Sequence, residues 1–203
     1  MVNLMLSLLS AYLIGSIPTS FIFTKIFKRV DIREHGSGNV GATNVFRVVG
    51  KAPAILVLFI DIFKGYASVA FLPNIFFNNT IGVTFGLELY RIVLGVCAIS
   101  GHIWSVFLKF KGGKGVATTA GVLIILAPKV LIASAIVWII VFVPFRIVSV
   151  ASIVSSIFLP VFAILFHQPI SIVIFVALLC VAGTYKHKAN IKRLIRGEER
   201  RLF

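Results

Sequence analysis

Residues 116–145 read VATTAGVLIILAPKVLIASAIVWIIVFVPF, an apolar stretch whose one charge is Lys129. Two folds hang on it. Read through, it is a single long membrane span; broken at Pro128-Lys129, it is a hairpin with short or tilted arms. Proline favours the break, because it removes a helical hydrogen bond and clashes with the preceding turn. The flanking segments decide between the two by the parity of the crossings.

Upstream, Leu4 to Phe23 makes a first span interrupted by Gly15 and Pro18, and Lys25, Lys28, Arg29 and Arg33 follow at once. Basic residues gather on the cytoplasmic side of membrane proteins, so the N-terminus faces out. No Lys or Arg precedes Lys25, so this run lacks the basic n-region of a secretory signal and reads as an uncleaved span. Ala52 to Leu72 is a second span, with an outer turn at Pro73, Asn74, Asn78 and Asn79. A third runs from about Leu87 to Phe107, before Lys109, Lys111 and Lys114. Downstream come Val148 to Phe166, an outer turn at His167-Gln168-Pro169, and a last span from Ile170 to Tyr185. The basic tail from Lys186 to Phe203 is cytoplasmic. An outside N-terminus and an inside C-terminus require an odd number of crossings. The hairpin gives seven, the single span six.

The expected fold is therefore all-α: one polytopic membrane helix bundle over residues 1–203, with seven transmembrane helices, N-terminus out and C-terminus in. Short helices and re-entrant-like loops lie at its cytoplasmic face. In this topology only Arg91 and Lys129 lie outside, Lys64 lies within a span, and the other basic residues lie inside.

Composition agrees. Of 203 residues 59% are hydrophobic and 13% charged, with mean hydropathy +1.07, whereas soluble proteins carry roughly a quarter charged residues. The net charge of +14 comes from 20 Lys+Arg against 6 Asp+Glu. The positive-inside bias accounts for most of it, so a nucleic-acid partner is not implied. Cys97 and Cys180 lie in apolar runs and read as small hydrophobes.

Four polar constellations interrupt the spans. The first is Gly36-Ser37-Gly38-Asn39-Val40-Gly41-Ala42-Thr43-Asn44 with Arg47. Its glycines expose backbone N–H groups, and Arg47 adds a planar fork suited to phosphate, so it reads either as an anion cradle or as a solvated loop. The second is Gly101-His102, then Phe110-Lys111-Gly112-Gly113-Lys114-Gly115-Val116-Ala117-Thr118, where lysines and glycines precede a helix start. It is not a Walker A loop, which needs a glycine four residues before its Gly-Lys pair and Ser or Thr after it. The third is Asp61 with Lys64, one turn apart inside a span: a functional site by position, or a structural ion pair. The fourth is His187 with Asn190 at the inner end of the last span, leading into an amphipathic stretch around Ile191, Leu194 and Ile195. No Ser/His/Asp set and no metal-ligand cluster emerges. Val106 and Phe107 stand where a histidine–carboxylate acyltransferase motif would place an acid after His102.

These stretches, with Asp61-x-x-Lys64-Gly65 and His187-x-x-Asn190-Ile191-x-Arg193-Leu194 followed by Gly197 and Glu199, resemble the bacterial acyl-phosphate:glycerol-3-phosphate acyltransferase family, PlsY, over essentially the whole chain. The resemblance implies a seven-helix inner-membrane enzyme with its active site toward the cytoplasm, no metal and no cofactor. Its implied activity moves a fatty acyl group from acyl phosphate to the sn-1 hydroxyl of glycerol 3-phosphate. The products are lysophosphatidic acid and inorganic phosphate, the opening step of phospholipid synthesis, with a handover from an acyl-phosphate-forming enzyme. Carried over by position, Ser37, Gly38, Asn39, Gly41, Thr43, Asn44, Lys111, Gly112, Gly113, Gly115 and Thr118 are implied to hold substrate phosphate. Arg47 and Ser149 are implied to position glycerol 3-phosphate, with Ser152 the rival of Ser149. His187, Asn190 and Lys114 are implied at the catalytic centre; His187 is either base or positioning group, and a substrate phosphate oxygen is the other candidate base. Asp61, Lys64, His102 and Glu199 are implied as support. A transporter of phosphate or phosphate esters is the alternative, disfavoured by the gathering of these residues on one face.

Overall fold

The computed structural model describes residues 2–77 and 79–203; Asn78, expected in an outer turn, lies outside them. Among the described residues the chain is helical, without strands, as a bilayer demands of a segment that must satisfy its own backbone. It forms two compact units, Met1–Leu126 and Ala127–Phe203.

In the first unit, α1 (Val2–Ser16) and α2 (Thr19–Lys28) are one apolar run broken at Ile17-Pro18. Then come α3 (Ala42–Val48), α4 (Lys51–Ala70), α5 (Leu72–Phe76), α6 (Asn79–Ile103) and α7 (Val116–Leu126). Pro53 falls in the first turn of α4, where its missing N–H has no helical partner to lose. Pro73 lies at the start of α5, so the expected turn at Pro73-Asn74 is instead helical. Gly86 leaves helical geometry at φ 65° and ψ 160°, which separates the start of α6 from the membrane-length segment Gly86–Leu108 that its remainder begins.

The second unit holds α8 (Pro128–Phe145), α9 (Val148–Leu165), α10 (Ile170–Lys186) and α11 (Lys188–Ile195). The break expected at Pro128-Lys129 is present: Ala127 is non-helical and Pro128 opens α8. By length and composition five described segments can cross a bilayer: Val2–Lys28, Lys51–Phe76, Gly86–Leu108, Pro128–Phe145 and Val148–Leu165. The pair α10 and α11, bent by 56°, makes a sixth when counted as one broken span. The remaining apolar helix, α7, has 11 residues, about 16 Å of helix against a hydrocarbon core of about 30 Å.

Helices of the first unit cross closely at glycines. A Cβ at Gly15 would strike the Ala98 carbonyl, and one at Gly101 the Tyr12 carbonyl, so α1 lies backbone-to-backbone on α6. On α4 and α7 the arrangement is reciprocal: Gly65 faces the Thr118 carbonyl and Gly121 faces the Ile62 carbonyl. Lipid gives no hydrophobic drive between helices, so small residues that admit close packing take its place. Gly121→Val should therefore force α4 and α7 apart, at a cost of about 1–3 kcal/mol, read as a lower midpoint of thermal unfolding in detergent. Gly183→Ala, where a Cβ meets nothing within 4 Å, should show no such loss.

Candidate functional site

The first glycine stretch is built around Asn44. Asp31 caps the short turn Ile32–Glu34 by accepting from the Arg33 N–H at 2.9 Å. The Arg33 guanidinium also grips that carboxylate, with Nη2 at 2.6 Å, and holds its carboxyl below the ordinary value. The chain then turns through Gly36 and Gly38 at φ 62° and 70°, a region glycine enters at little cost. The Asn44 amide reaches the carbonyls of Ile32, His35 and Asn39 at 3.2, 2.9 and 3.1 Å, and its Oδ1 accepts from the Ser37 N–H at 2.9 Å. A Cβ at Gly36 would collide with that Oδ1. Expected to bind substrate, Asn44 is buried and its polar atoms are engaged in shaping the loop. The Gly38 and Gly41 amides likewise donate to His35 and Asn39 carbonyls. Ser37, Asn39, Thr43 and Arg47 are half-buried at this loop and on α3.

The second glycine stretch hangs from the end of α6. The Gly112 N–H donates to the Ile103 carbonyl at 3.1 Å and the Gly113 N–H to the His102 carbonyl at 3.0 Å. These amides, expected as open phosphate donors, secure the loop instead, since a buried N–H must find a partner. Gly115 sits at φ 86° just before α7. Lys111 is exposed and Lys114 half-buried. Thr118 lies deeper, buried in the crossing of α7 with α4, with its hydroxyl unpartnered.

The two stretches meet. A Cβ at Gly113 would strike the Val40 carbonyl, and Leu108 shares a hydrophobic cluster with Ile32, Val40, Val45, Ala54 and Val57. Beneath them lies a narrow pocket of about 190 Å³ of empty space, mouth included, lined in part by Ser16, Thr19, Lys64, His102, Gly112 and Gly113. Asp61 lies behind that lining, bonded to two of its residues. Its Oδ1 accepts from Thr19 Oγ1 at 2.6 Å and from Lys64 Nζ at 2.8 Å, with His102 Nδ1 at 3.7 Å.

In the second unit the candidates gather on Glu199. Its Oε1 accepts from Asn190 Nδ2 at 2.7 Å and Ser149 Oγ at 3.1 Å, and its Oε2 from Arg193 Nε at 2.7 Å. Burial alone would raise the Glu199 carboxyl, but the hydrogen bonds from Arg193 and Asn190 outweigh it and hold the group below the ordinary glutamate range. Ser152, the rival of Ser149, accepts instead from Trp138 Nε1 at 3.1 Å. His187 joins α10 to α11 and is 4% exposed. Its Nδ1 lies 2.8 Å from the Gly183 carbonyl. A carbonyl only accepts, so this bond assigns the proton to Nδ1 and makes Nε2 the acceptor of the neutral ring. Among the described residues no three His, Cys, Asp or Glu side chains gather as a metal site requires.

Sequence reasoning passed over Thr19 and quoted Arg193 without giving it a role. A hydroxyl immediately after the helix-breaking Pro18, and an arginine three residues past Asn190 on one face of α11, were the available signals.

Residues 5–197 match the family model described as "Glycerol-3-phosphate acyltransferase". The chain is 41% identical over 198 residues to glycerol-3-phosphate acyltransferase 2 of Moorella thermoacetica, covering 98% of this chain and 97% of that protein. It is 41% identical to the glycerol-3-phosphate acyltransferase of Staphylococcus carnosus, covering 97% and 96%. Two solved structures of PlsY, an integral membrane glycerol 3-phosphate acyltransferase, each cover 98% of this chain and 94% of their own. The glycerol 3-phosphate form has TM-score 0.86 at 37% identity, the lysophosphatidic acid form 0.82 at 35%.

Proposed function

Because the chain belongs to the glycerol-3-phosphate acyltransferase family, as a membrane-integral acyltransferase, we propose that it uses acyl phosphate as donor and acylates the sn-1 hydroxyl of glycerol 3-phosphate. The products are then lysophosphatidic acid and inorganic phosphate. The observation that carries this reading is the packing of the two glycine stretches against one another, Val40 on Gly113. It sets the segments bearing Arg47, Lys111 and Lys114 side by side, and phosphate-bearing substrates call for such a gathering of cations.

An acyl phosphate is already activated and leaves phosphate behind, so no covalent enzyme nucleophile is needed. The hydroxyl attacks the acyl carbonyl, the C–O bond to phosphate breaks, and the hydroxyl proton goes to His187 Nε2 or to a substrate phosphate oxygen. Lys114 and Lys111, with Ser37, Asn39 and Thr43, steady the departing phosphate. Arg47, Ser149 and Asn190 hold glycerol 3-phosphate. Holding two anionic substrates against their repulsion supplies most of the acceleration, through positioning and charge stabilisation.

With α7 as the short arm of a hairpin, the chain crosses seven times, N-terminus out, and presents its polar stretches to the cytoplasm from the inner membrane. Acyl phosphate then arrives by handover from an enzyme that makes it. Membership of an acyltransferase family displaces the transporter alternative. Purified protein given glycerol 3-phosphate with acyl phosphate, acyl-CoA or acyl carrier protein in parallel should form lysophosphatidic acid and release phosphate with the first alone. Acylation from a thioester donor, or no acylation from any of the three, would refute the donor assignment.

A further inference from the structure

We infer that Asp61 is a positioning residue for the lysine loop, acting through His102 to set where Gly113, and with it Lys111 and Lys114, stands. A pair within one helix would have sufficed to neutralise a buried carboxylate: Lys64, one turn on, lies 2.8 Å away. Asp61 does more. The same Oδ1 takes the Thr19 hydroxyl at 2.6 Å from the start of α2 and faces His102 Nδ1 at 3.7 Å near the end of α6. Lys64 in turn donates to the Ile17 carbonyl at 3.2 Å, at the break between α1 and α2. One carboxylate, 1% exposed, thus ties together α4, the α1–α2 break and α6.

His102 passes this constraint on in two ways. Its carbonyl accepts the Gly113 N–H at 3.0 Å, and its ring edge stands so close to Gly113 that a Cβ there would strike Nε2. The next residue, Ile103, holds Gly112 in the same manner. Gly113 also rests on the Val40 carbonyl of the first stretch. The line Asp61–His102–Gly113–Val40 therefore fixes the spacing of the two glycine stretches. Burying ions in an apolar span costs stability against a well-packed apolar alternative, and such residues in membranes mark function rather than packing.

The inference rests on the reading that the Lys111–Lys114 loop takes the donor's phosphate, and the experiment separates the two. Asp61→Asn, Thr19→Val and Thr19→Ser are compared with Lys111→Ala and Lys114→Ala. Measured for each are kcat, the KM for acyl phosphate, the KM for glycerol 3-phosphate, thermal unfolding, and amide exchange over residues 109–115. Asp61→Asn should raise the KM for acyl phosphate about tenfold with the KM for glycerol 3-phosphate within about twofold, and the Gly112 and Gly113 amides should exchange faster. Thr19→Val should shift the same quantities less, and Thr19→Ser should restore them. If Asp61→Asn does not fold, Thr19→Val decides. Unchanged exchange and unchanged KM for acyl phosphate, or both KM values rising together, would overturn the inference. Lysine variants with a normal KM for acyl phosphate would instead overturn the reading of the loop, and faster exchange in Asp61→Asn would still stand.

Discussion

His187→Ala should lower kcat by about two to four orders of magnitude, the range a positioned general base contributes, while glycerol 3-phosphate still binds by calorimetry. The ring is held from behind: Nδ1 is fixed on the Gly183 carbonyl within its own helix turn, so Nε2 keeps one orientation as the acceptor of the ring. A side chain so fixed at the junction of two helices has little freedom to lose when a hydroxyl arrives. If the variant instead loses binding in proportion to turnover, His187 positions the acceptor and the proton goes to a phosphate oxygen. If turnover is unchanged, His187 leaves the site.

Glu199→Ala should be the second large effect, and it should be structural as well as kinetic. The carboxylate receives Ser149, Asn190 and Arg193 together, and removing it takes a partner from the buried donors of Ser149 and Asn190, at about 1–3 kcal/mol each. The expected result is a lower unfolding midpoint together with a raised KM for glycerol 3-phosphate, as Ser149 and Asn190 lose their common anchor. Glu199→Gln should recover part of the fold but not the Arg193 ion pair. Acid should mimic the change. The folded-state carboxyl lies below the ordinary glutamate range, so in moderate acid the unfolded chain binds the extra proton and folding loses ground. The stabilisation from Glu199 is whole above about pH 4.3 and fades as pH falls below it through the folded-state value. A stability–pH curve for Glu199→Gln should be flatter in that window than the parent's; an identical slope would show that Glu199 is not the group that titrates.

The helices were legible because apolar length and proline punctuation are local properties. The breaks at Pro18 and Pro128 fall where the sequence puts them, and α11 begins close to the expected amphipathic stretch. Which amides are open was not legible. The Gly112 and Gly113 N–H groups look free in sequence, and only the return of the loop onto the end of α6 shows them used. Asn44 misleads for the same reason: its partners are carbonyls, which every residue carries, so no spacing advertises them. Thr19, Asp61 and His102 are some forty residues apart along the chain, beyond any periodicity argument. Ser149 and Ser152 sit one helical turn apart and are indistinguishable by hydropathy; their partners, Glu199 and Trp138, separate them.

The glycine crossings have a consequence for how this chain tolerates change. Along α8 only Val130 and Ser134 are buried, so most of its residues can drift among apolar side chains with little penalty. At Gly15, Gly65, Gly101 and Gly121 a single added methyl meets a backbone carbonyl that cannot step aside. Substitutions that leave a hydropathy profile untouched therefore divide sharply. A Leu-to-Ile exchange on α8 is close to silent, while Gly121→Ala, equally apolar, wedges two helices beneath the polar loops.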